Sequence, residues 1–504
     1  MDGRDQTQAV AALFDPANHG GVRPDRIDTH ACHVALVGDR AYKMKRAVTY
    51  AFLDYGTPAL RRQAVRDELA LNRRTAPEMY LGLVPLLENA KGGLAFGALD
   101  AVGEAPEAVP AREWLIAMRR FPQEALLDSL ADRGALDWPI LAELADTIAA
   151  FHATTPPAPA DAFDAREVGR LLAENIAMMR EFPAILPGAE VDALEQDAAA
   201  ALSRLGSVID ARAAAGHVKR CHGDLHLKNV VLWQGNPTLF DCIEFSTRYA
   251  TTDVFYDLAF LLMDLDHRRL GDAANRVFNR YMESSGDRSG IAALPLYLSV
   301  RAQVRAKVGA ASAAHAEGAE AKAQAEEAVA YLALARRYLT RTRPGLSAIG
   351  GLSGSGKSTR ARQMARALGP APGAVLLRSD QLRKARFGRP ETERLPLEAY
   401  TTEISRAVYA ELYEKAEAAL AEGFHVIADA TFLHPDSRRL VQAVAEKAGV
   451  PFDGIWLDVS RETAEARIAA RLAEGADASD ADCAVLARQL QEDTGPIRWR
   501  RIPA

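Results

Sequence analysis

The chain has 504 residues, of which 49% are hydrophobic and 25% charged, and its formal net charge is −6. That length holds about two to four domains, the composition is that of a soluble globular protein, and the mildly acidic balance gives no electrostatic basis for nucleic-acid or membrane partners. The four cysteines, Cys32, Cys221, Cys242 and Cys483, form no CxxC pair; they point to neither a disulfide framework nor a zinc cluster and suit a reducing cytoplasm.

At the start, Met1-Asp2-Gly3-Arg4-Asp5 lacks a basic segment followed by an apolar one, so no signal peptide is expected. No apolar run approaches the ~20 residues of a membrane helix, and the localisation expected is cytoplasmic. His33–Val37 and Ala41–Lys45 flank Gly38-Asp39, which is a hairpin signal. Pro58 opens a helix over 58–76, with Leu60, Ala64, Glu68 and Leu71 at helical spacing. Val84 to Phe96 supplies further strands. From Trp114 onward the pattern is mostly helical, with Pro/Ala-rich breaks near 155–161. A strand-loop-strand unit follows, then a helix over Asp253–Asp266 with an apolar face. Residues 300–342, without proline, form one or two long helices with Gly309 and Gly318 as breaks; a solvated hairpin closing the first domain is the expectation there. Arg341–Gly345 is the linker. Beyond it β and α patterns alternate, which implies a parallel α/β sheet.

Within the strand-loop-strand unit lies His222-Gly223-Asp224-Leu225-His226-Leu227-Lys228-Asn229, with Asp241 downstream. Phosphoryl transfer needs a carboxylate to orient and deprotonate the attacking hydroxyl, oxygen ligands for Mg²⁺, and a lysine on the phosphates fixed by a glutamate. Asp224 suits the base. Asn229, five residues on, and Asp241, returned by a hairpin over Gly235-Asn236-Pro237, suit the metal. Lys43 and Glu68 suit the ion pair, with Lys43 preferred over Lys45 on the same strand face because of its Tyr-Lys-Met context. His222 and His226 are expected to be structural, and Lys228 is as readily an exposed lysine as a phosphate contact. Asp253 and Asp257, four apart on one helix face, either tie the catalytic loop down, the favoured reading, or bind a cationic substrate. His30, Cys32 and His33 alternate faces on a strand, which argues against a metal site.

These residues resemble the aminoglycoside phosphotransferase and choline kinase group, a branch of the protein-kinase-like fold, over about residues 25–340. The resemblance rests on HGDLHLKN and LFDCIEF. It implies a bilobal domain over 1–343, with an N-lobe at about 25–110 and a helical C-lobe at about 111–343. It also implies Asp224 as catalytic base, Asn229 and Asp241 on Mg²⁺, and Lys43 with Glu68 positioning ATP. Many members of the group carry Pro-Gly where this chain has Leu227-Lys228, and no Gly-rich loop is evident; the acceptor, and antibiotics as acceptors in particular, do not follow.

Gly351-Leu352-Ser353-Gly354-Ser355-Gly356-Lys357-Ser358 satisfies G-x-x-x-x-G-K-[ST] between an apolar strand and a helical segment. Its glycines turn backbone N–H groups to phosphates, Lys357 reaches the β/γ-phosphates and the Ser358 hydroxyl ligates Mg²⁺. Gly351, Ser353, Gly354, Ser355, Gly356, Lys357, Ser358 and Thr359 are the expected nucleotide contacts. Asp380 and Asp429 end the next two strands. Arg467 and Arg471 lie four apart on a helix that precedes Ala473-Glu474-Gly475 and Asp477-Ala478-Ser479-Asp480. The arrangement resembles small P-loop kinases of the AAA, gluconate-kinase, polynucleotide-kinase and zeta-toxin type over about residues 346–504, within a domain expected at 344–504. That resemblance implies Asp380 as the acceptor acid, Asp429 on the Mg²⁺ side, and Arg467 and Arg471 neutralising the transferring phosphate.

The tandem resembles a family of bacterial fusions of these two domain types. The expected protein is an ATP- and Mg²⁺-dependent phosphotransferase acting on a small-molecule hydroxyl through Asp224, with the P-loop domain as a second small-molecule kinase. Two rival readings differ in class: a P-loop domain that acts only as a nucleotide-driven switch, or a first domain that is a ligand-binding pseudokinase. A nucleic-acid 5′-kinase lacks an evident basic and aromatic surface.

Overall fold

The strand-like runs around Gly38-Asp39 form the antiparallel pair Cys32–Val37 and Arg40–Lys45, with Val34 opposite Lys43. The computed structural model describes residues 5–50, 53–474 and 478–503; Met1-Asp2-Gly3-Arg4, Gly475 and Asp477, all named above, lie outside them. Two compact units divide the chain: Met1–Val168 with Asp210–Asp264, and Gly169–Ile209 with Leu265–Ala504.

In the first unit a six-stranded antiparallel sheet runs in the order Asp25–Asp28, Cys32–Val37, Arg40–Lys45, Glu113–Arg119, Tyr80–Glu88, Leu94–Phe96. Glu113–Arg119 corrects the helical expectation from Trp114 onward. All of its residues from Glu113 to Met118 are buried, so it lacks the alternation that marks a half-exposed strand. Helix Pro58–Asn72 starts at Thr57, whose Oγ1 accepts from Leu60 N at 3.3 Å, and packs Val65 and Leu69 on one face of the sheet with Ala41, Ile116 and Met118. It stops short of residue 76 because Pro77 disfavours helical backbone at Ala76. A helix not anticipated from sequence, Thr7–Phe14, buries Ala9, Ala12 and Leu13 on the opposite face with Met44 and Leu115.

Strands Val230–Trp233 and Asn236–Leu239 form the expected hairpin, but its turn is Gln234-Gly235: Asn236 and Pro237, expected in the turn, pair with Trp233 and Leu232. Helix Val254–His267 is buried on every side from Val254 to Leu265.

In the second unit five parallel strands lie in the order Val375–Arg378, Val426–Asp429, Leu346–Gly351, Phe452–Asp458, Arg500–Pro503. Helices Leu294–Ala313 and Gly318–Leu339 belong to this unit. The first is buried throughout Leu296–Gln303; beyond that the expected helical hairpin is present, buried at Ala306, Ala310 and Ala313 and from Ala328 at Tyr331, Leu332, Leu334, Ala335 and Tyr338, and largely exposed between. Gly318 has φ +60 at the turn, but Gly309 stays helical. A Cβ there would lie 3.3 Å from Ala328 Cβ, so the glycine serves close helix packing rather than a break.

The division also cuts across the boundary read at 343/344. Helix Gly271–Ser285 caps the outer edge of the parallel sheet. Asn275 Nδ2 donates to Ala374 O at 3.0 Å, and Asn279 Oδ1 accepts from Leu376 N at 2.7 Å. Side-chain amides thereby satisfy backbone groups that an edge strand otherwise leaves unpaired.

Candidate functional site

Strand periodicity places Lys43 and Lys45 on one side of the first sheet, facing helix Pro58–Asn72. Lys43 Nζ donates to Glu68 Oε1 at 2.8 Å and to Asp241 Oδ1 at 2.6 Å. Lys45 Nζ pairs with Glu68 Oε2 at 2.5 Å and with Glu244, which also accepts from Tyr55 Oη. The two lysines thus share Glu68, which is fully buried, and differ in their second partner. Burial works against the Lys43 ammonium, but Asp241 and Glu68 outweigh it and hold the group well above its ordinary value. Desolvation likewise works against the Asp241 carboxylate. The charge and hydrogen bond of Lys43 overcome it and keep Asp241 below the usual range, with Asp224 near enough to oppose.

Asp241 has φ +62, a left-handed conformation that costs a non-glycine residue roughly 1–2 kcal/mol. Its N–H donates to Tyr80 Oη at 3.3 Å, and the next N–H, of Cys242, donates to Asn72 Oδ1 at 2.8 Å. Asn72 Nδ2 in turn donates to Glu68 O, so one asparagine links the helix of Glu68 to the segment of Asp241. Neither Asn72 nor Glu244 was singled out from sequence. Glu244 had a signal, three residues beyond Asp241 in Asp-Cys-Ile-Glu; the Asn72 contact spans 170 positions and had none.

In the loop 222–229 Asn229 Nδ2 donates to Asp224 O at 2.9 Å and to Asp224 Oδ2 at 2.8 Å. His226 Nε2 lies 3.2 Å from the same Oδ2, and its Nδ1 accepts from Lys228 N. His226 therefore touches the expected base and also holds the loop. Lys228 is exposed. His222 accepts from Asp224 N at Nδ1 and reaches Phe240 O through Nε2, which joins the loop to the strand leading into Asp241. Asp257 accepts from the backbone N–H groups of His222 and Gly223. Asp253 is paired bidentately with Arg212, and Asp264 accepts from Leu227 N.

Among the described residues the one tight group of metal-ligating types is His152, Cys221 and Asp257, and His30, Cys32 and His33 are not gathered. Asp257 already serves the two loop N–H groups and His152 Nε2, a structural set.

In the second unit the loop 351–356 leads from strand Leu346–Gly351 into helix Lys357–Ala365. Gly354 has φ +79, and a Cβ there would lie 2.6 Å from Ala464 O. Lys357 Nζ donates to Leu352 O at 2.9 Å. Burial pulls Lys357 below its ordinary value, Asp429 and Asp380 pull the other way, and Arg471 and Arg378 add to the lowering. Ser358 Oγ donates to Asp429 Oδ2 at 2.6 Å. Ser353 N donates to Gln489 Oε1 at 2.9 Å, Ser355 Oγ is buried without a hydrogen-bond partner, and Thr359 is exposed in the first helical turn.

Asp380 opens helix Ser379–Arg386; burial raises its carboxyl, opposed by Arg378 and a hydrogen bond to Ser479. Arg467 Nη1 lies 3.5 Å from the position of a Cβ on Gly356, and Arg471 donates to Ala481 O. Asp480 is held by Lys384 at 2.7 Å and by Leu395 N at 2.9 Å, so it is fastened to helix Ser379–Arg386, which carries Asp380. Arg378, Gln489 and the Asp480 anchor were not foreseen. Arg378 stands two residues before Asp380, but nothing in the local pattern marks its direction.

A model of the phosphotransferase enzyme family matches residues 103–294, and a model of the AAA domain matches residues 346–496. The chain carries two kinase-type domains in tandem. An uncharacterized protein of Mycobacterium tuberculosis (strain ATCC 25618 / H37Rv) is 29% identical over 477 residues, spanning 93% of this chain and 90% of that one; an uncharacterized protein of Mycobacterium bovis matches equally. Among solved structures, a choline/ethanolamine kinase family protein from Mesorhizobium loti is 13% identical, with TM-score 0.37 over 66% of this chain and 98% of that one. A gluconokinase from Sinorhizobium meliloti is 22% identical, with TM-score 0.23 over 32% and 84%. No helix among the described residues is long and apolar enough to cross a membrane.

Proposed function

We propose that this chain is an ATP- and Mg²⁺-dependent phosphotransferase acting on a hydroxyl group of a small molecule, with Asp224 as the base. The observation that carries the reading is the position of Lys43, whose ammonium touches Glu68 and Asp241 together. A cation so placed meets the phosphates of a nucleotide on one side and the metal-side carboxylate on the other. Asn229 and Asp241 would hold Mg²⁺. Their oxygens are the hard donors that this ion takes, and the bound ion would supply charge neutralisation at the phosphates. Asp224, held at Oδ2 by Asn229 and His226, is fixed to orient an acceptor hydroxyl and accept its proton.

The second site is read as another small-molecule kinase. Gly351, Ser353, Gly354, Ser355, Gly356, Lys357, Ser358 and Thr359 would receive the nucleotide. The buried unpartnered Ser355 Oγ and the glycine cradle suit a group that brings its own acceptors. Ser358 and Asp429 would hold Mg²⁺, Asp380 would orient the acceptor, and Arg467 with Arg471 would balance the transferring charge.

A switch role for the P-loop domain has one observation in its favour. Helix Gly271–Ser285, inside the segment matched by the phosphotransferase model, is hydrogen-bonded to the strand that leads to Asp380.

The deciding experiment compares the intact chain with Asp224→Asn and Lys357→Ala. It follows phosphate transfer from ATP to pooled alcohols, sugars, aminoglycosides and nucleosides. Acceptor-dependent turnover lost in Asp224→Asn and retained in Lys357→Ala is expected for the first site; the reverse holds for acceptors of the second. Loss of one acceptor's turnover in both variants supports the switch. Tight Mg·ATP binding with no turnover on any acceptor overturns the proposal in favour of a pseudokinase.

A further inference from the structure

Strand Val375–Arg378 pairs with Val426–Asp429 in a register that sets Arg378 beside Asp429 at the carboxyl end of the sheet. Both side chains are buried, at 5% and 4% exposure. Arg378 Nε lies 3.3 Å from Asp429 Oδ2 and donates to it; Nη2 donates to Ser358 Oγ at 3.1 Å. Ser358 Oγ donates to the same Oδ2 at 2.6 Å. Three side chains from the P-loop helix and two strands are therefore closed into one triangle. Two of its corners are the oxygens assigned to the metal in the reading above.

A guanidinium keeps its charge throughout the accessible pH range, so protonation does not relieve this arrangement. It acts in two ways on a divalent cation approaching Ser358 and Asp429. Its hydrogen bonds hold both oxygens in place, which favours a preset site. Its charge opposes a second cation across a short, buried distance, where Coulomb terms are strong. Arg378 also lowers the neighbouring Lys357 and favours the charged form of Asp380, so its field spans the whole site.

We propose that Arg378 is a positioning residue that sets the Mg²⁺ threshold of the P-loop site, by holding Ser358 and Asp429 while opposing the metal they bind. The proposal rests on the reading of the second site as a Mg·nucleotide site. It goes beyond that reading in giving a fixed cation control over when the site loads.

The test is hydrogen exchange of the P-loop backbone, residues 351–358, in the full chain with saturating non-hydrolysable ATP analogue and Mg²⁺ raised from micromolar to millimolar. Reading these amides alone separates the second site from the first. Arg378→Met is expected to lower the Mg²⁺ midpoint of protection at least about tenfold, and Arg378→Lys, which keeps the charge, to leave it within about threefold of the parent chain. A gain of metal sensitivity is a result that loss of folding does not produce. Should Arg378→Met fail to fold, Arg378→Gln carries the same expectation, since it keeps one N–H donor for Asp429. An unchanged or raised midpoint in the neutral variants overturns the proposal, as does a tenfold drop in Arg378→Lys. Absence of protection in the parent chain at any Mg²⁺ level refutes the nucleotide-site reading itself, and the proposal with it.

Discussion

Replacing Glu283 by Gln should stabilise the second unit at neutral and alkaline pH and leave it unchanged near pH 4. Glu283 lies on helix Gly271–Ser285, and its carboxyl meets that of Glu391. Gln381 Nε2 donates to Glu283 Oε2 at 3.2 Å and to Glu391 Oε1 at 2.5 Å; Arg280 Nη1 is 2.8 Å from Glu391 Oε1 and 3.6 Å from Glu283 Oε2. The two side chains are 20% and 21% exposed. Burial first, then the Glu391 charge and hydrogen bond, push Glu283 up from 4.5 to about 8, against Arg280 and Arg288. Between those values the folded chain keeps a proton that the unfolded chain has released. Stability is therefore fully present below about pH 4.5 and declines as pH rises toward about 8, with a limiting slope of ~1.4 kcal/mol per pH unit. At pH 7 the group has crossed about 2.5 units of that window, which amounts to roughly 3 kcal/mol. Glutamine keeps an N–H donor for Glu391 and carries no charge to expel. Its variant should show a flat pH profile and a gain of roughly 2–3 kcal/mol at pH 7–8. Thermal melts from pH 4 to 9 supply the global readout. Hydrogen exchange over residues 271–285 and 379–396 supplies the local one, which matters because two units need not unfold in one step. Parallel pH profiles for the parent chain and the variant would refute the reasoning, because no proton would then be shared across these elements.

The two lysines on Glu68 should separate in their effects. Lys45→Met leaves Glu244 and Tyr55 buried without their cation, and a loss of about 3–5 kcal/mol is expected in the melting of the first unit. Lys43→Met leaves Glu68 paired with Lys45, so the melt should shift less while binding of a fluorescent ATP analogue to the first site falls at least about tenfold. Gly354→Ala places a Cβ 2.6 Å from Ala464 O on a residue with φ +79. It should abolish analogue-induced protection of residues 351–358 and leave Asp224-dependent turnover intact; hydrogen exchange and phosphate release measure the two.

What was legible in this sequence is what neighbouring residues decide among themselves. Asp224, Asn229 and His226 sit within one tight loop, so their spacing already implies their contact. The same holds for the P-loop, where positive-φ glycines and the following helix form one local unit. The hairpin of Lys43 was legible because Gly-Asp stands between two strand-like runs. Strand Glu113–Arg119 was not, since burial on both faces erases the alternation that sets strand apart from helix. Nor was the extent of helix Leu294–Ala313 as a core element, because alanine-rich segments suit a buried and a solvated helix equally.

By itself, then, the sequence determined the two loops 222–229 and 351–358 and the residue types each presents, because hydrogen-bonded loops of a few residues carry their geometry in their own spacing. The tertiary structure alone decided which cations and carboxylates meet. Glu68 is shared by two lysines 25 and 23 positions away, Arg378 reaches Asp429 and Ser358 across the sheet, and Glu283 on helix Gly271–Ser285 faces Glu391 in a turn. Such pairings follow from strand order and helix packing, which bring distant segments together under constraints that no single stretch of chain contains.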